Sequence, residues 1–318
     1  MESEAQELGS KNQKWPYLMA LRPRQWTKNL VVFAAPLFAF SLNLPSLFAS
    51  LMAFVLFCCT SSSFYLINDI ADVESDRQHP VKCKRPIAAG LVSVKLALGM
   101  AVILLGGSLS ISWWKSSYLG ATITAYAILQ IAYNLRLKRM VILDICAIAT
   151  GFILRALAGG VATGITLSPW FLLCTAMLAL FLGIEKRKAE LRLTKLKGTK
   201  PRAVLKRYSL SLLSRMENVV TTGTVLTYAL WSAGPYLKGA STSWMLVTLP
   251  FVLYGVFRYQ LISDPVEHSD DDLEDKKSHS SERPEEILLK DLPILVTVIS
   301  WIITCFSILL CKHQGLIQ

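Results

Sequence analysis

Charge is scarce in this sequence: Asp, Glu, Lys and Arg make up 17% of its 318 residues, against about 25% in a typical soluble domain. No polar stretch is long enough to fold as a soluble domain of its own. The four histidines, His79, His268, His279 and His313, stand outside the apolar runs and form no ligand pattern. The seven cysteines include no Cys-x-x-Cys pair, and six of them sit in or at the edge of apolar segments. That placement excludes a zinc site of the usual spacing and fits small hydrophobes within helices. Residues 1–28 lack an early apolar core, so no cleavable signal peptide is expected, and the first span is expected to insert by itself.

What is abundant is apolar, at 53% of residues. Runs near the length that crosses a bilayer, about 20 residues, fall at 29–45, 47–67, 94–114, 117–135, 141–162, 169–185, 214–236, 243–262 and 292–311. They predict an all-α, polytopic membrane helical bundle with nine transmembrane helices. Pro36 interrupts the first run, so eight spans is the alternative count. The expected organisation is a cytoplasmic segment over 1–28, one transmembrane domain over 29–311 and a short tail over 312–318.

The placement of positive charge tests that count. Lys11, Lys14, Arg22, Arg24 and Lys28 precede the first span. Arg77, Lys82, Lys84 and Arg85 follow the second, and Arg136, Lys138 and Arg139 follow the fourth. Ten Lys or Arg lie from Lys186 to Arg207, and Lys276, Lys277, Arg283 and Lys290 follow the eighth span. The other side carries only Lys115, Lys238 and Lys312. Basic loops stay cytoplasmic, which predicts a cytoplasmic N-terminus and an odd number of spans. The net charge of +11 then follows from topology and contact with lipid headgroups, with no nucleic acid required. The loop over 263–283 is acidic and serine-rich and predicts a loosely ordered segment. Its acids lack the spacing of a calcium loop.

Asn68-Asp69-Ile70-Ala71-Asp72-Val73-Glu74-Ser75-Asp76 ends the second apolar run. A carboxylate at membrane depth costs roughly 2.5–3.5 kcal/mol on insertion scales. On a helix Asp69, Asp72 and Asp76 share one face, as do Asn68, Asp72 and Asp76. Magnesium takes one or two carboxylates and completes its shell with water and substrate phosphate oxygens. Asn68, Asp69, Asp72 and Asp76 are therefore the candidate Mg2+ ligands, and Lys82 and Arg85 can meet the phosphates. The competing interpretation is an acidic helix end paired with Arg77, Lys82 and Arg85. Arg155, inside the fifth run, points either to a polar cavity or to a pair with a helix carbonyl or an acid such as Asp144. Tyr65 and Tyr133 are weaker candidates, because aromatic residues are ordinary at span ends.

The pattern Asn-Asp-x-x-Asp-x-x-x-Asp, followed by Lys82-x-x-Arg85-Pro86 and by Tyr133-Asn134-Leu135-Arg136-Leu137-Lys138-Arg139, resembles the UbiA-type intramembrane transferases over nearly the whole chain. The resemblance implies a helical bundle around a central cavity open to the cytoplasmic face. It also implies a second Asp-x-x-x-Asp motif after the sixth span. Here that place reads Glu185-Lys186-Arg187-Lys188-Ala189-Glu190-Leu191. A basic cluster implies direct contact with an anion in place of a second metal.

The variation resembles one branch, the polyprenyl-phosphate (decaprenyl-phosphate) phosphoribosyltransferases. Further matches are Leu21-Arg22-Pro23-Arg24-Gln25-Trp26-Thr27-Lys28-Asn29, the Arg85-to-Gly90 and Phe152-to-Gly160 stretches, and Pro284-Glu285-Glu286. The resemblance implies transfer of 5-phosphoribose from 5-phosphoribosyl 1-diphosphate to a long-chain polyprenyl phosphate. Asp69, Asp72 and Asp76 would be the catalytic set. Lys28, Tyr65, Asn68, Lys82, Arg85, Tyr133, Arg139, Arg155, Lys186, Arg187 and Glu190 would bind substrate. Lys186 and Arg187 could hold either the ribose 5-phosphate or the lipid phosphate. Prenyl transfer from a prenyl diphosphate to an aromatic or lipid acceptor is the alternative. A transporter fits poorly, because the charges gather at one face and do not mark a path.

Overall fold

The computed structural model describes residues 15–79, 81–197, 204–263 and 291–317. The acidic loop over 263–283 past its first residue, the Pro284-Glu285-Glu286 element, and Lys11 and Lys14 lie outside the described residues. Among those described, all regular structure is helical. The helices are α1 (Pro16–Ala20), α2 (Ala34–Phe38), α3 (Leu44–Ala71), α4 (Val73–Arg77), α5 (Val94–Lys115), α6 (Ser117–Leu135), α7 (Leu143–Thr163), α8 (Pro169–Lys197), α9 (Leu210–Ser232), α10 (Leu249–Ser263) and α11 (Leu292–His313). Short 3-10 segments intervene, the longest over Pro23–Phe33.

Local chemistry sets the helix starts. Asn43 accepts the Ser46 amide at 2.9 Å ahead of α3, and Asp291 accepts the Ile294 amide at 2.9 Å ahead of α11. Ser93 and Ser209 cap α5 and α9 in the same way. Each cap satisfies an amide that has no partner within its helix. Among the described residues, six helical stretches are long and apolar enough to cross a membrane: α3, α5, α7, α8, Ser243–Ser263 and α11. Their outer faces carry residues such as Ile103, Val102 and Ile303, which are well exposed, as lipid-facing positions must be.

The expected first span is not one helix. Its residues form the 3-10 segment Pro23–Phe33 and then the short α2, with Phe40 in the left-handed region at φ 50°. The expected spans at 117–135 and 214–236 are present as α6 and α9, but they fall outside the set of six. α9 carries Arg215 and Glu217 within its apolar sequence.

The chain divides into two compact units. The first comprises Met1–Pro36, Asn43–Asn134 and Leu154–Ile165; the second comprises Leu37–Leu42, Leu135–Ile153 and Thr166–Gln318. In the first, α3 packs along α5 and against the 3-10 segment. Val32, Ala53, Phe57, Ile123, Tyr126 and Ala158 form part of its core. Thr60 donates to Ser108 at 2.9 Å between α3 and α5, a polar contact of the sort that ties helices in lipid. In the second, α8 packs along α9, and α10 along α11, around Ile145, Phe181, Ile184, Leu213 and Tyr259.

The 3-10 segment is seated on α7 at Gly159. A Cβ there would lie 2.0 Å from the Val32 carbonyl oxygen, and backbone cannot rotate aside as a side chain can. Gly159→Ala is therefore expected to cost about 1–3 kcal/mol and to loosen the segment carrying Arg22 and Lys28. Faster amide exchange over residues 22–33, with α5 unaffected, is the expected observation.

Candidate active site

α3 runs out of its apolar stretch into the aspartate motif, and the helix turns at Asp72, which has φ −96° and ψ 6°. The bonding pattern carries across the turn: the Asp72 amide donates to the Asn68 carbonyl at 2.9 Å and the Asp76 amide to the Asp72 carbonyl at 2.8 Å. Asp69 and Asp76, two turns apart, thus face the same way. They are 3% and 1% exposed. Asp72 is exposed and Asn68 half-buried.

The two buried carboxylates converge on one cation. Arg85 Nη1 lies 3.0 Å from Asp69 Oδ1 and 2.5 Å from Asp76 Oδ2. Arg22 also donates to Asp69 Oδ1, and its guanidinium stands 5.1 Å from the Tyr65 ring centroid, within cation–π range. Lys82 Nζ is 3.9 Å from Asp76 Oδ1. Arg77 turns instead to Glu74, at 2.9 Å and exposed. Lys28 Nζ donates to Gln25 Oε1 at 2.6 Å, and Tyr133 is half-buried near the end of α6.

Among the described residues no cluster of three or more Asp, Glu, His or Cys side chains stands ready to hold a metal. The site offers a pair, Asp69 and Asp76, already gathered about a cationic nitrogen. A pair of hard oxygen donors is what Mg2+ takes from protein when water and phosphate supply the rest, so the residues fit the ion.

Arg22 is the residue that sequence reasoning left out of the site. It stands in the quoted Leu21–Asn29 stretch, but its link to Asp69 spans 47 positions. Its backbone is left-handed at φ 56°, a costly conformation for a non-glycine residue, and it immediately precedes Pro23. Asn29 and Tyr126 were missed as well. Arg155 is 6% exposed and donates to Asn29 Oδ1 at 2.7 Å and to the Tyr126 hydroxyl at 2.8 Å. Asn29 in turn reaches Cys58 Sγ at 3.2 Å and Ser61 Oγ at 3.5 Å. A charge at membrane depth is thus spent on holding the 3-10 segment to α3 and α7.

In the second unit the Glu185-to-Leu191 stretch lies on α8, and its charges divide between two buried groups. Arg187, 3% exposed, donates through Nε to Asp144 Oδ2 at 2.8 Å and through Nη1 to Glu190 Oε2 at 2.6 Å. Asp144 Oδ1 also accepts from the Tyr208 hydroxyl at 2.8 Å. One position along the helix, Lys188 lies 2.5 Å from Glu217 Oε2 and 3.1 Å from Glu185 Oε1, and Gln260 donates to Glu217 Oε1 at 2.7 Å. Lys186 is half-buried between these groups in sequence, and Arg139 is exposed after α6. The expectation that Arg187 touches an anion meets a guanidinium buried on two carboxylates. Among the described residues no two cysteines are joined by a disulfide.

The model of the UbiA prenyltransferase family matches residues 29–274. The decaprenyl-phosphate phosphoribosyltransferase of Mycolicibacterium smegmatis is 40% identical over 317 residues, covering 95% of each chain. The protein of the same name from Mycobacterium tuberculosis is 38% identical, over 90% of this chain and 91% of its own. In fold, the chain is similar to a UbiA homolog from Archaeoglobus fulgidus solved with DMAPP and Mg2+, with a TM-score of 0.67, 19% identity and coverage of 92% of this chain and 98% of that one. With a family match across most of its length, this chain belongs to the UbiA prenyltransferase family of integral membrane transferases.

Proposed function

We propose that the protein transfers 5-phosphoribose from 5-phosphoribosyl 1-diphosphate to a long-chain polyprenyl phosphate, releasing diphosphate. The observation that carries this reading is the pairing of one acidic site, at Asp69 and Asp76, with a basic stretch where a second acidic motif would stand. Relatives that share 37–40% of the sequence carry the name of that activity. In the reading, Asn68, Asp69, Asp72 and Asp76 hold Mg2+, which would act as a Lewis acid and template on the leaving diphosphate.

Lys82, Arg85, Arg22 and Lys28 hold the diphosphate oxygens, and Tyr65 backs Arg22. Arg139 and Lys186 take the remaining phosphate, on the ribose or on the lipid, and Tyr133 and Glu190 lie beside them in sequence. Arg155 and Arg187 act by positioning. The lipid phosphate is anionic at neutral pH and attacks the anomeric carbon without a strong base. The new C–O bond forms as the bond to diphosphate breaks, and direct displacement inverts the carbon. Positioning and electrostatic stabilisation of an oxocarbenium-like transition state supply the acceleration. Nine membrane crossings, a cavity open to the cytoplasm, a cytoplasmic N-terminus and a cytoplasmic site are parts of the same proposal, supported by the asymmetry of Lys and Arg.

The test is reconstitution. Purified protein with Mg2+, polyprenyl phosphate and ribose-labelled phosphoribosyl diphosphate is expected to yield a labelled lipid, and none with EDTA. Labelled lipid from a prenyl diphosphate and an aromatic acid, with no transfer of ribose, would favour prenyl transfer instead.

A further inference from the structure

Ile142 has φ 71°. A β-branched residue in the left-handed region is an outlier that persists only where its surroundings enforce it. The enforcing group is visible. The Ile142 amide donates to the Tyr208 hydroxyl at 2.7 Å, across 66 positions of sequence. That hydroxyl donates to Asp144 Oδ1 at 2.8 Å, and the other oxygen of Asp144 accepts from Arg187 Nε at 2.8 Å. Asp144 and Arg187 are 0% and 3% exposed. Burial first, and then the bond to the Asp144 carboxylate, push the Tyr208 hydroxyl well above the ordinary tyrosine value. It therefore stays protonated and keeps donating.

The strained peptide closes a basic turn. Arg136 and the 3-10 turn Leu137–Arg139 precede it, with Met140 and Val141 between. Arg136 and Arg139 are exposed and Lys138 is half-buried, and none of the three has a carboxylate partner among the described residues. Cations held in one place by a strained, buried relay can meet an anion at little further cost in ordering.

We propose that Tyr208, Asp144 and Arg187 are positioning residues that lock the turn at Ile142 and so fix Arg139 and its neighbours as the binding site for a substrate phosphate. The identity of the ligands rests on the transfer reaction proposed above. The shared chemistry is a phosphate monoester, on the ribose of one substrate or on the lipid of the other.

The experiment has two arms, both on the full chain in detergent. The first is amide hydrogen exchange. Tyr208→Phe is expected to speed exchange at residues 137–142 at least tenfold while α5 is unchanged; unchanged exchange at 137–142 would overturn the relay. The second is equilibrium binding of Mg-phosphoribosyl diphosphate and of polyprenyl phosphate, measured separately. Tyr208→Phe and Arg139→Ala are each expected to weaken the same one of the two ligands about tenfold. Their combination is expected to weaken it no further than the stronger single variant, because both remove one site. The ligand affected names the phosphate.

Additive losses, or equal losses for both ligands, would overturn the assignment. Should Tyr208→Phe not fold, Asp144→Asn replaces it in both arms with the same expectations. A parent that binds neither ligand refutes the transfer reading, and the phosphate assignment falls with it. The exchange arm still decides whether the relay holds the turn.

Discussion

Asp69→Asn is expected to lower phosphoribosyl transfer by about 100- to 1,000-fold while leaving the protein folded. The substitution keeps the shape of the side chain and removes its charge. Asp69 is the carboxylate that two guanidiniums share, Arg22 and Arg85, and it is one of two buried hard oxygen donors in the site. In the proposed reading a bound Mg2+ would lose one of its two buried carboxylate ligands, and Arg22, left-handed at φ 56°, loses its ion-pair partner.

Asp76→Asn is expected to cost a similar factor, because Asp76 shares Arg85 at 2.5 Å. The double variant should be little worse than either alone, since the pair acts as a unit. Steady-state kcat/KM measured across Mg2+ concentrations checks this. Asp69→Asn retaining more than a tenth of parental activity would contradict it. Asp72 is exposed, and Asp72→Asn with full magnesium-dependent activity would remove Asp72 from the ligand set while leaving the buried pair in place.

Lys188→Met is expected to be among the most destabilising single changes in the second unit, at about 3–5 kcal/mol. One ammonium serves two buried carboxylates, Glu217 at 2.5 Å and Glu185 at 3.1 Å. Removing it leaves Glu185 and Glu217 without their cation at 1% and 5% exposure respectively, so the cost is that of stranded charge and not of one lost contact. The same logic predicts the rescue. Glu217→Gln removes one charge, keeps an oxygen for Gln260, and should recover more than half of the loss when combined with Lys188→Met. Resistance to thermal unfolding in detergent is the measurement. A loss below about 1 kcal/mol, or no recovery in the double variant, would show that the cluster is solvated and not buried.

Much of this architecture was legible in the sequence, for identifiable reasons. The runs at 47–67, 94–114, 141–162 and 292–311 end within a few residues of α3, α5, α7 and α11. Length and apolarity decide a membrane helix, and Asn43, Ser93 and Asp291 mark the starts of three of them. The run at 29–45 is apolar without being one continuous α-helix. Pro36 and the close seat of Val32 on Gly159 shape it instead, and only the fold reveals the second of these.

The site divides the same way. The period of the aspartates shows that Asp69 and Asp76 share a face. Which carboxylates are buried depends on Arg22 and Arg85, one of them 47 residues away. Arg187 reads as an anion contact in the sequence because it is a cation beyond a membrane run. Its partner Asp144 lies 43 positions earlier, and no local pattern announces the pairing. Tyr208 carries no signal in the sequence, and Asn29, although it ends the matched Leu21–Asn29 stretch, is distinguished only by what its amide reaches.

The central claim is that the Asp69–Asp76 site holds a sugar diphosphate and not a prenyl diphosphate. Competition binding tests it most directly. Labelled Mg-phosphoribosyl diphosphate is bound to the purified protein and challenged with unlabelled phosphoribosyl diphosphate or with a prenyl diphosphate. The expected result is saturable binding, abolished by Asp69→Asn, with the prenyl diphosphate competing at least 100-fold more weakly. Displacement by the prenyl diphosphate at equal or lower concentration would contradict it.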